Sequence, residues 1–183
     1  MPARARRSDA RDNRALLLAA AKEVFAEDGP HAPLDRVARR AGIGNATMYR
    51  HFPSRRELVI AVYASDVASL TADARLDAAD PGAELFAWLA AFVEHVRDKR
   101  ALALSLTTPA GDHETLFAQW HATVNETAAA LVERAKAAGA VAADTEALDL
   151  LLLATGIALS GASDRAGRLL GLIRRGVSAA DGT

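Results

Sequence analysis

Between Gly29 and Pro53 this chain has no room for a long helix. Gly29-Pro30 stops one helix, because glycine accepts the left-handed conformation at a helix end and proline cannot continue the helix. Pro33 can stand at the first position of the next helix. Leu34, Val37, Ala38 and Ala41 then give a short apolar stripe that Gly42 stops. Ile43-Gly44-Asn45 is a turn. Ala46 to Phe52 form another short helix, closed by Pro53. Two short helices on a tight glycine turn can pack across one another, the first bracing the second.

The flanks also read as helix. Leu17, Ala20, Ala21, Val24 and Phe25 fall at i, i+3, i+4, i+7 and i+8, one apolar face over 12–28. Ser54 with Glu57 makes a capping box. The helix it opens is predicted to reach Ala79, just before Asp80-Pro81-Gly82. At ~1.5 Å per residue that rod spans roughly 37 Å. Asp80 and Pro81 begin a helix with Leu85, Trp88, Leu89, Phe92 and Val96 on one face, ending near Lys99-Arg100. A short helix over 101–106 precedes a Pro109-Ala110-Gly111 turn. A long helix over 112–138 follows, carrying Phe117, Trp120, Val124, Ala128, Leu131 and Ala135, and Gly139 ends it. Asp144 caps a helix to Ser160 that is apolar nearly all round. The last helix, 164–175, aligns Ala166, Leu169, Leu170, Ile173 and Val177. No period-two alternation is present, and aromatics are only 5%, so helix is favoured over strand. The expectation is an all-α chain of about nine helices.

Charge divides the chain. Residues 1–60 carry 12 Lys+Arg against 7 Asp+Glu, and residues 61–183 carry 10 against 16. A basic head on an acidic body suggests that the head meets a polyanion. The absence of cysteine excludes disulfides, thiolate catalysis and zinc-thiolate sites. No signal peptide is recognisable, since no apolar run follows the basic start Met1-Pro2-Ala3-Arg4. The most apolar run, Leu148 to Leu159, contains Asp149 and falls short of the ~18 residues a membrane span needs. These readings predict a soluble cytoplasmic protein without a membrane partner. No glycine-rich phosphate loop or nucleophile elbow is present, so no enzyme is expected, and no cofactor. His95, His113 and His121 lack the i, i+3 or i, i+4 spacing of paired ligands on one helix, so no metal site is expected.

In the second short helix Met48 and Phe52 face inward, four residues apart. Asn45, Ala46, Thr47, Tyr49, Arg50 and His51 look outward. Such a helix lies in a major groove with its N-terminal residues at base edges. Asn45 can read an adenine edge, and Ala46 or Thr47 can touch a thymine methyl. Tyr49, His51 and Arg55 suit phosphate oxygens. Arg55 and Arg56 also sit at a helix N-terminus, where cations are mildly unfavourable unless they serve another purpose.

These residues resemble the TetR/AcrR family of transcriptional regulators. The resemblance is carried by Arg14, Leu17, Ala21, Phe25 and Gly29, then Val37-Ala38 and Ala41-Gly42-Ile43. Thr47-Met48-Tyr49-Arg50-His51-Phe52, Arg55 and Leu58 complete it. It covers about residues 11–62 without a gap, and its Thr-x-Tyr-x-His-Phe signature is highly specific. It implies base contacts from Asn45, Ala46 and Tyr49, and phosphate contacts from Thr47, Tyr49, His51 and Arg55. Three positions depart from the pattern: Gly44 replaces a frequent serine cap, Arg55 a usual lysine, and Pro33 a capping threonine or serine. The second half resembles an SbtR-like subgroup through Trp88-Leu89-Ala90-Ala91-Phe92 and Lys99-Arg100-Ala101-Leu102-Ala103-Leu104.

The organisation expected is a basic disordered arm over 1–10, a DNA-binding domain over 11–58, and a helical effector-binding and dimerisation domain over 59–183. The arm either adds nonspecific phosphate attraction or reaches into a minor groove. Trp88, Phe92, Phe117 and Trp120, with His95 and His121, are either plain core or the lining of a small-molecule cavity, as the family implies. Leu148, Leu152, Leu159, Leu169, Leu170 and Ile173 offer a homodimer interface. The function expected is a repressor released from its double-stranded DNA operator by a small-molecule effector. The competing reading is an all-helical binding protein or enzyme whose helix-turn-helix only packs.

Overall fold

Eight α-helices and one 3-10 turn make up the secondary structure of the described residues, with no strand among them. The computed structural model describes the backbone of residues 2–106 and 113–179, and side chains at 11–99 and 117–179. The helices are α1 (Pro2–Asp28), α2 (Leu34–Arg40), α3 (Asn45–His51), α4 (Arg55–Ala72), α5 (Pro81–Leu106), α6 (His113–Ala137), α7 (Ala147–Leu159) and α8 (Ala166–Val177). The 3-10 turn Ser163–Arg165 leads into α8. The predicted turn at 109–111 and the His113 side chain lie outside the described residues.

The chain divides into two units. The first runs through Ser65 and includes the end of α5 from Lys99. The second takes Asp66–Asp98 and α6 to α8. The division therefore falls inside α4.

In the first unit the stripe Leu17, Ala20, Ala21, Val24 and Phe25 is buried as its spacing requires. It meets Leu34, Val37 and Ala38 of α2, Met48 and Phe52 at α3, and Leu58, Val59 and Val62 of α4 in one core. Each Leu, Val, Phe or Met among them contributes about 1.5–3 kcal/mol by leaving water. The turn between α2 and α3 needs Gly42, whose φ is +68°. Gly42 N–H donates to Arg39 O and Ile43 N–H to Ala38 O, the paired bonds that close a helix on a left-handed residue. Pro33 stands at the N-cap of α2, one position before the expected place, and makes no side-chain cap bond.

Three of the larger boundary differences from the sequence expectation concern α1, α4 and α5. Residues 2–10, expected as an unstructured arm, continue α1, since no helix breaker lies between Pro2 and Asp28. The expected separate helix over 101–106 does not exist. It is the end of α5, because Lys99-Arg100-Ala101 holds only good helix formers. In contrast, α4 stops at Ala72, not Ala79.

The cause of that stop is a buried carboxylate. Glu84, 5% exposed in the first turn of α5, accepts from Arg75 N–H (3.1 Å), Arg75 Nε (3.0 Å) and Arg75 Nη2 (2.6 Å). These bonds turn the chain back on α5 and hold the Glu84 carboxyl below its ordinary value, the backbone bond most of all. Three carbonyls in the last turn of α4 find donors outside the regular ladder or at its end. Ser69 O accepts from Asp73 N–H, Leu70 O from the Trp88 indole at 2.9 Å, and Thr71 O from Ala74 N–H. Asp80 caps α5 through Ala83 N–H, as its sequence position predicts.

Within the second unit, α6 packs on α7 and α7 on α8. Gly82 is required by proximity, since a Cβ there would stand 2.7 Å from Ala140 Cβ. α7 starts at Ala147 and not at Asp144, because Thr145 N–H turns back to Ala142 O. Its inner face, Leu150, Leu151, Ala154 and Ala158, is buried, while Leu148, Leu152, Leu153 and Leu159 are exposed.

Candidate nucleic-acid interface

The outward row of α3 follows from two buried anchors. Met48, fully buried, and Phe52 point into the core of the first unit. Asn45, Ala46, Tyr49 and Arg50 are consequently exposed, and Thr47 and His51 half-buried. Phe52 also carries the Arg14 guanidinium over its ring at 5.2 Å, which pins the end of α3 to α1. Gly44 is the N-cap of α3 and supplies no side-chain bond; its carbonyl accepts from both Thr47 and Met48 N–H. The first-turn amides thus close on the backbone alone.

Arg50 has a role that outward placement alone did not reveal. Its Nε donates to Ala46 O (3.1 Å) and its Nη2 to Thr47 Oγ1 (3.1 Å). The guanidinium lies back along α3 and orients the Thr47 hydroxyl. The signal was the i, i+3 and i, i+4 spacing of Thr47, Ala46 and Arg50 on one helix.

The basic cast of the head is partly internal. Arg40 reaches Glu23 (2.7 Å) and Glu27 (2.9 Å), and Arg36 reaches Glu27 (2.9 Å) and Asp28. Arg39 pairs with Asp35 at 3.1 Å. Arg40 beside it holds the Glu27 carboxyl below its ordinary value of 4.5. The cations of α2 are therefore matched by carboxylates of the same unit, and attraction for a polyanion does not rest on them.

Arg55 has partners within the protein that its sequence position did not reveal. Its side chain is half-buried, and its Nη1 donates to Pro30 O (3.1 Å) and Ala32 O. It faces the turn between α1 and α2.

In the second unit the expected effector residues form two ring pairs. Trp88 stacks on Phe92 at 5.9 Å, and both are buried. Phe117 and Trp120 meet edge to face at 5.2 Å, both half-buried. His95 is half-buried and His121 exposed. Trp88 has a structural duty through its bond to Leu70 O, so it is core whatever else it lines. Of the expected interface residues, Leu148, Leu152 and Leu159 are exposed and Leu169 and Ile173 half-buried. Leu170 is 6% exposed and turns into the unit's own core. Leu172, which was not singled out, is exposed instead. Among the described residues no cluster of three metal-binding side chains exists, and no helix is long and apolar enough to cross a membrane.

A short helix with a polar outer row, braced by a second helix across a glycine turn, defines a helix-turn-helix DNA-binding head. The chain belongs to the TetR family of bacterial transcriptional regulators. Residues 17–62 match the family described as bacterial regulatory proteins, tetR family, and residues 80–179 match the transcriptional regulator SbtR-like C-terminal domain. The TetR transcriptional regulator SCO0520 from Streptomyces coelicolor is 34% identical, with a TM-score of 0.79 over 91% of this chain and 98% of that one. A TetR transcription regulatory protein from Mycobacterium vanbaalenii is 33% identical, with a TM-score of 0.77 over 94% and 98%. The transcriptional activator FasR of Mycolicibacterium smegmatis is 42% identical over 65 residues, 35% of this chain and 30% of that protein. The chain spans between about a third and a half of the curated relatives it matches.

Proposed function

We propose that this regulator is a cytoplasmic repressor that binds a two-fold operator as a homodimer and is released by a small apolar effector. The observation that carries the reading is the outer row of α3. That row offers Asn45, Ala46 and Tyr49, all exposed, for base edges, and Thr47 and His51, half-buried, for phosphates. The DNA-binding domain is residues 11–58 and the effector and dimerisation domain residues 59–183. The segment before residue 11 adds basic charge near the duplex.

The exposed leucines of α7 and Leu172 of α8 support the homodimer, since a two-fold body presents two heads to two half-sites. The two ring pairs, with His95 and His121 for polar contact, support an effector site for an apolar molecule with one or two polar groups. The Trp88 bond to Leu70 O links that region to α4, the helix that begins at Arg55. An effector releases DNA only if it prefers the DNA-free form.

The test is selection of bound duplexes from random DNA, followed by titration at several salt concentrations. The expected result is one enriched palindrome whose affinity falls steeply with salt. No enrichment rejects the reading. Compounds that release the recovered duplex are then tried on Trp120→Ala. Release at an unchanged concentration would move the effector site elsewhere.

A further inference from the structure

The turn between α1 and α2 is flanked by two prolines, neither of which has an N–H to give. Its carbonyls are nonetheless largely accounted for. Gly29 O accepts from Ala32 N–H at 3.2 Å, and Pro33 O from Arg36 N–H at 3.0 Å. The carbonyls of Pro30 and Ala32 accept from Arg55 Nη1, and Ala32 is 4% exposed. An Nη group has two hydrogens, and here each has a carbonyl. The donor comes from 25 and 23 residues away in sequence.

Three further observations give this contact weight. α2 has Pro33 at its N-cap and no side-chain cap bond, so its start is not fixed by the usual local device. Arg55 is the first residue of α4, where a cation opposes the helix dipole. The next capping need there is met by Ser54 Oγ, which accepts from Glu57 N–H at 3.2 Å. Arg55 is therefore not needed to begin α4, and its charge is placed against the dipole to reach the turn.

We infer that Arg55 is a positioning residue for DNA recognition: it clamps the start of α4 to the α1–α2 turn and so sets where α2 holds α3. This rests on the operator-binding reading above, and it assigns Arg55 to the protein's own backbone in place of a phosphate. Val37 and Ala38 of α2 share the core with Met48 of α3, so a loosened α2 start lets the recognition helix wander. Base readout then suffers, because paired hydrogen bonds to base edges demand fixed geometry. Nonspecific attraction to phosphates does not, because it depends on charge and not on register.

The experiment uses the full chain with Arg55→Ala and Arg55→Lys. Amide exchange is followed without DNA. Binding is measured to a duplex recovered by the wild-type protein and to a shuffled duplex of equal length, over a range of salt. With Arg55→Ala, exchange at the amides of residues 31, 32 and 34–36 should rise by about tenfold or more while α6 to α8 stay as in wild type. Affinity for the recovered duplex should fall by about tenfold. Affinity for the shuffled duplex and the salt slope should not change. Arg55→Lys keeps the charge but has one ammonium in place of the planar fork, and should fall between the two. Wild-type exchange in the turn overturns the inference. So does a salt slope smaller by about one with both duplexes weakened alike, the mark of a lost phosphate contact. If Arg55→Ala loosens the whole chain, Arg55→Lys decides: faster exchange confined to the turn supports the clamp, and wild-type exchange overturns it. If the wild-type protein recovers no duplex, the operator reading fails, while exchange in the turn still judges the clamp.

Discussion

Tyr49 shows how neighbouring side chains on one short helix divide their work. It is 50% exposed, and its neighbour Met48 is fully buried. Removing the ring of Tyr49 takes nothing from the core, so Tyr49→Ala should change stability by no more than about 0.5 kcal/mol. Operator affinity should fall by about tenfold or more, the loss of one specific contact. Thermal melting and a gel shift check the pair; unchanged binding would remove Tyr49 from the interface. Trp88 is the opposite case. Its indole N–H is the donor for Leu70 O at the frayed end of α4. Trp88→Phe keeps most of the apolar volume but leaves that buried carbonyl unpaired, so a loss of about 1–3 kcal/mol is expected in denaturant unfolding. A smaller loss would mean that water replaces the indole.

The pairing of α1 with α2 combines an apolar seam with a rim of charge. Leu17, Ala21 and Val24 meet Val37 and Ala38 inside. Glu23, Glu27 and Asp28 meet Arg36 and Arg40 outside. The Glu27 carboxyl is held below its ordinary value by the Arg40 hydrogen bond. A carboxyl lowered in the folded state stabilises above its unfolded value, and that stabilisation is lost as pH falls through the folded one. The contact should therefore be constant near neutrality and weaken only in acid, below about pH 4.5. Melting curves from pH 7 to pH 3.5 test this. Glu27→Gln should be less stable than wild type at pH 7, and the gap should close at the acid end. A gap independent of pH would show that the loss is one of packing. The rim is exposed, so salt should narrow the gap as well.

The second unit leaves an apolar face uncovered. Leu152 is 62% exposed, with Leu148 one turn before it and Leu159 further along α7. In the proposed homodimer another copy covers this face with its own, related by a two-fold axis. Leu152→Arg is therefore expected to halve the mass seen by light scattering at micromolar concentration, with helix content retained. Operator affinity should fall with it, since two linked heads bind far more tightly than one. An intact dimer in that variant would place the interface elsewhere. The half-buried Leu169 and Ile173 are weaker test positions, because a charge there also disturbs the unit's own packing.

Local chemistry was enough to read the head. Gly29, Gly42 and Pro53 limit its helices, and period and size of side chain sort Met48 and Phe52 inward from Asn45, Ala46 and Tyr49 outward. Rules that act within one or two turns are written in adjacent residues, and they were legible there. What sequence could not show depends on groups far apart in the chain. The end of α4 at Ala72 is decided by Glu84, whose carboxylate takes the Arg75 amide out of the helix. Arg55 is drawn to Pro30 and Ala32 by carbonyls that only the folded turn leaves without donors. Leu170 and Leu172 differ by two positions, about 200° around a helix, and only the packing of α8 on α7 decides which is core. A hydrogen bond or a buried face is a property of two surfaces meeting, and sequence describes each surface without saying which one it will meet.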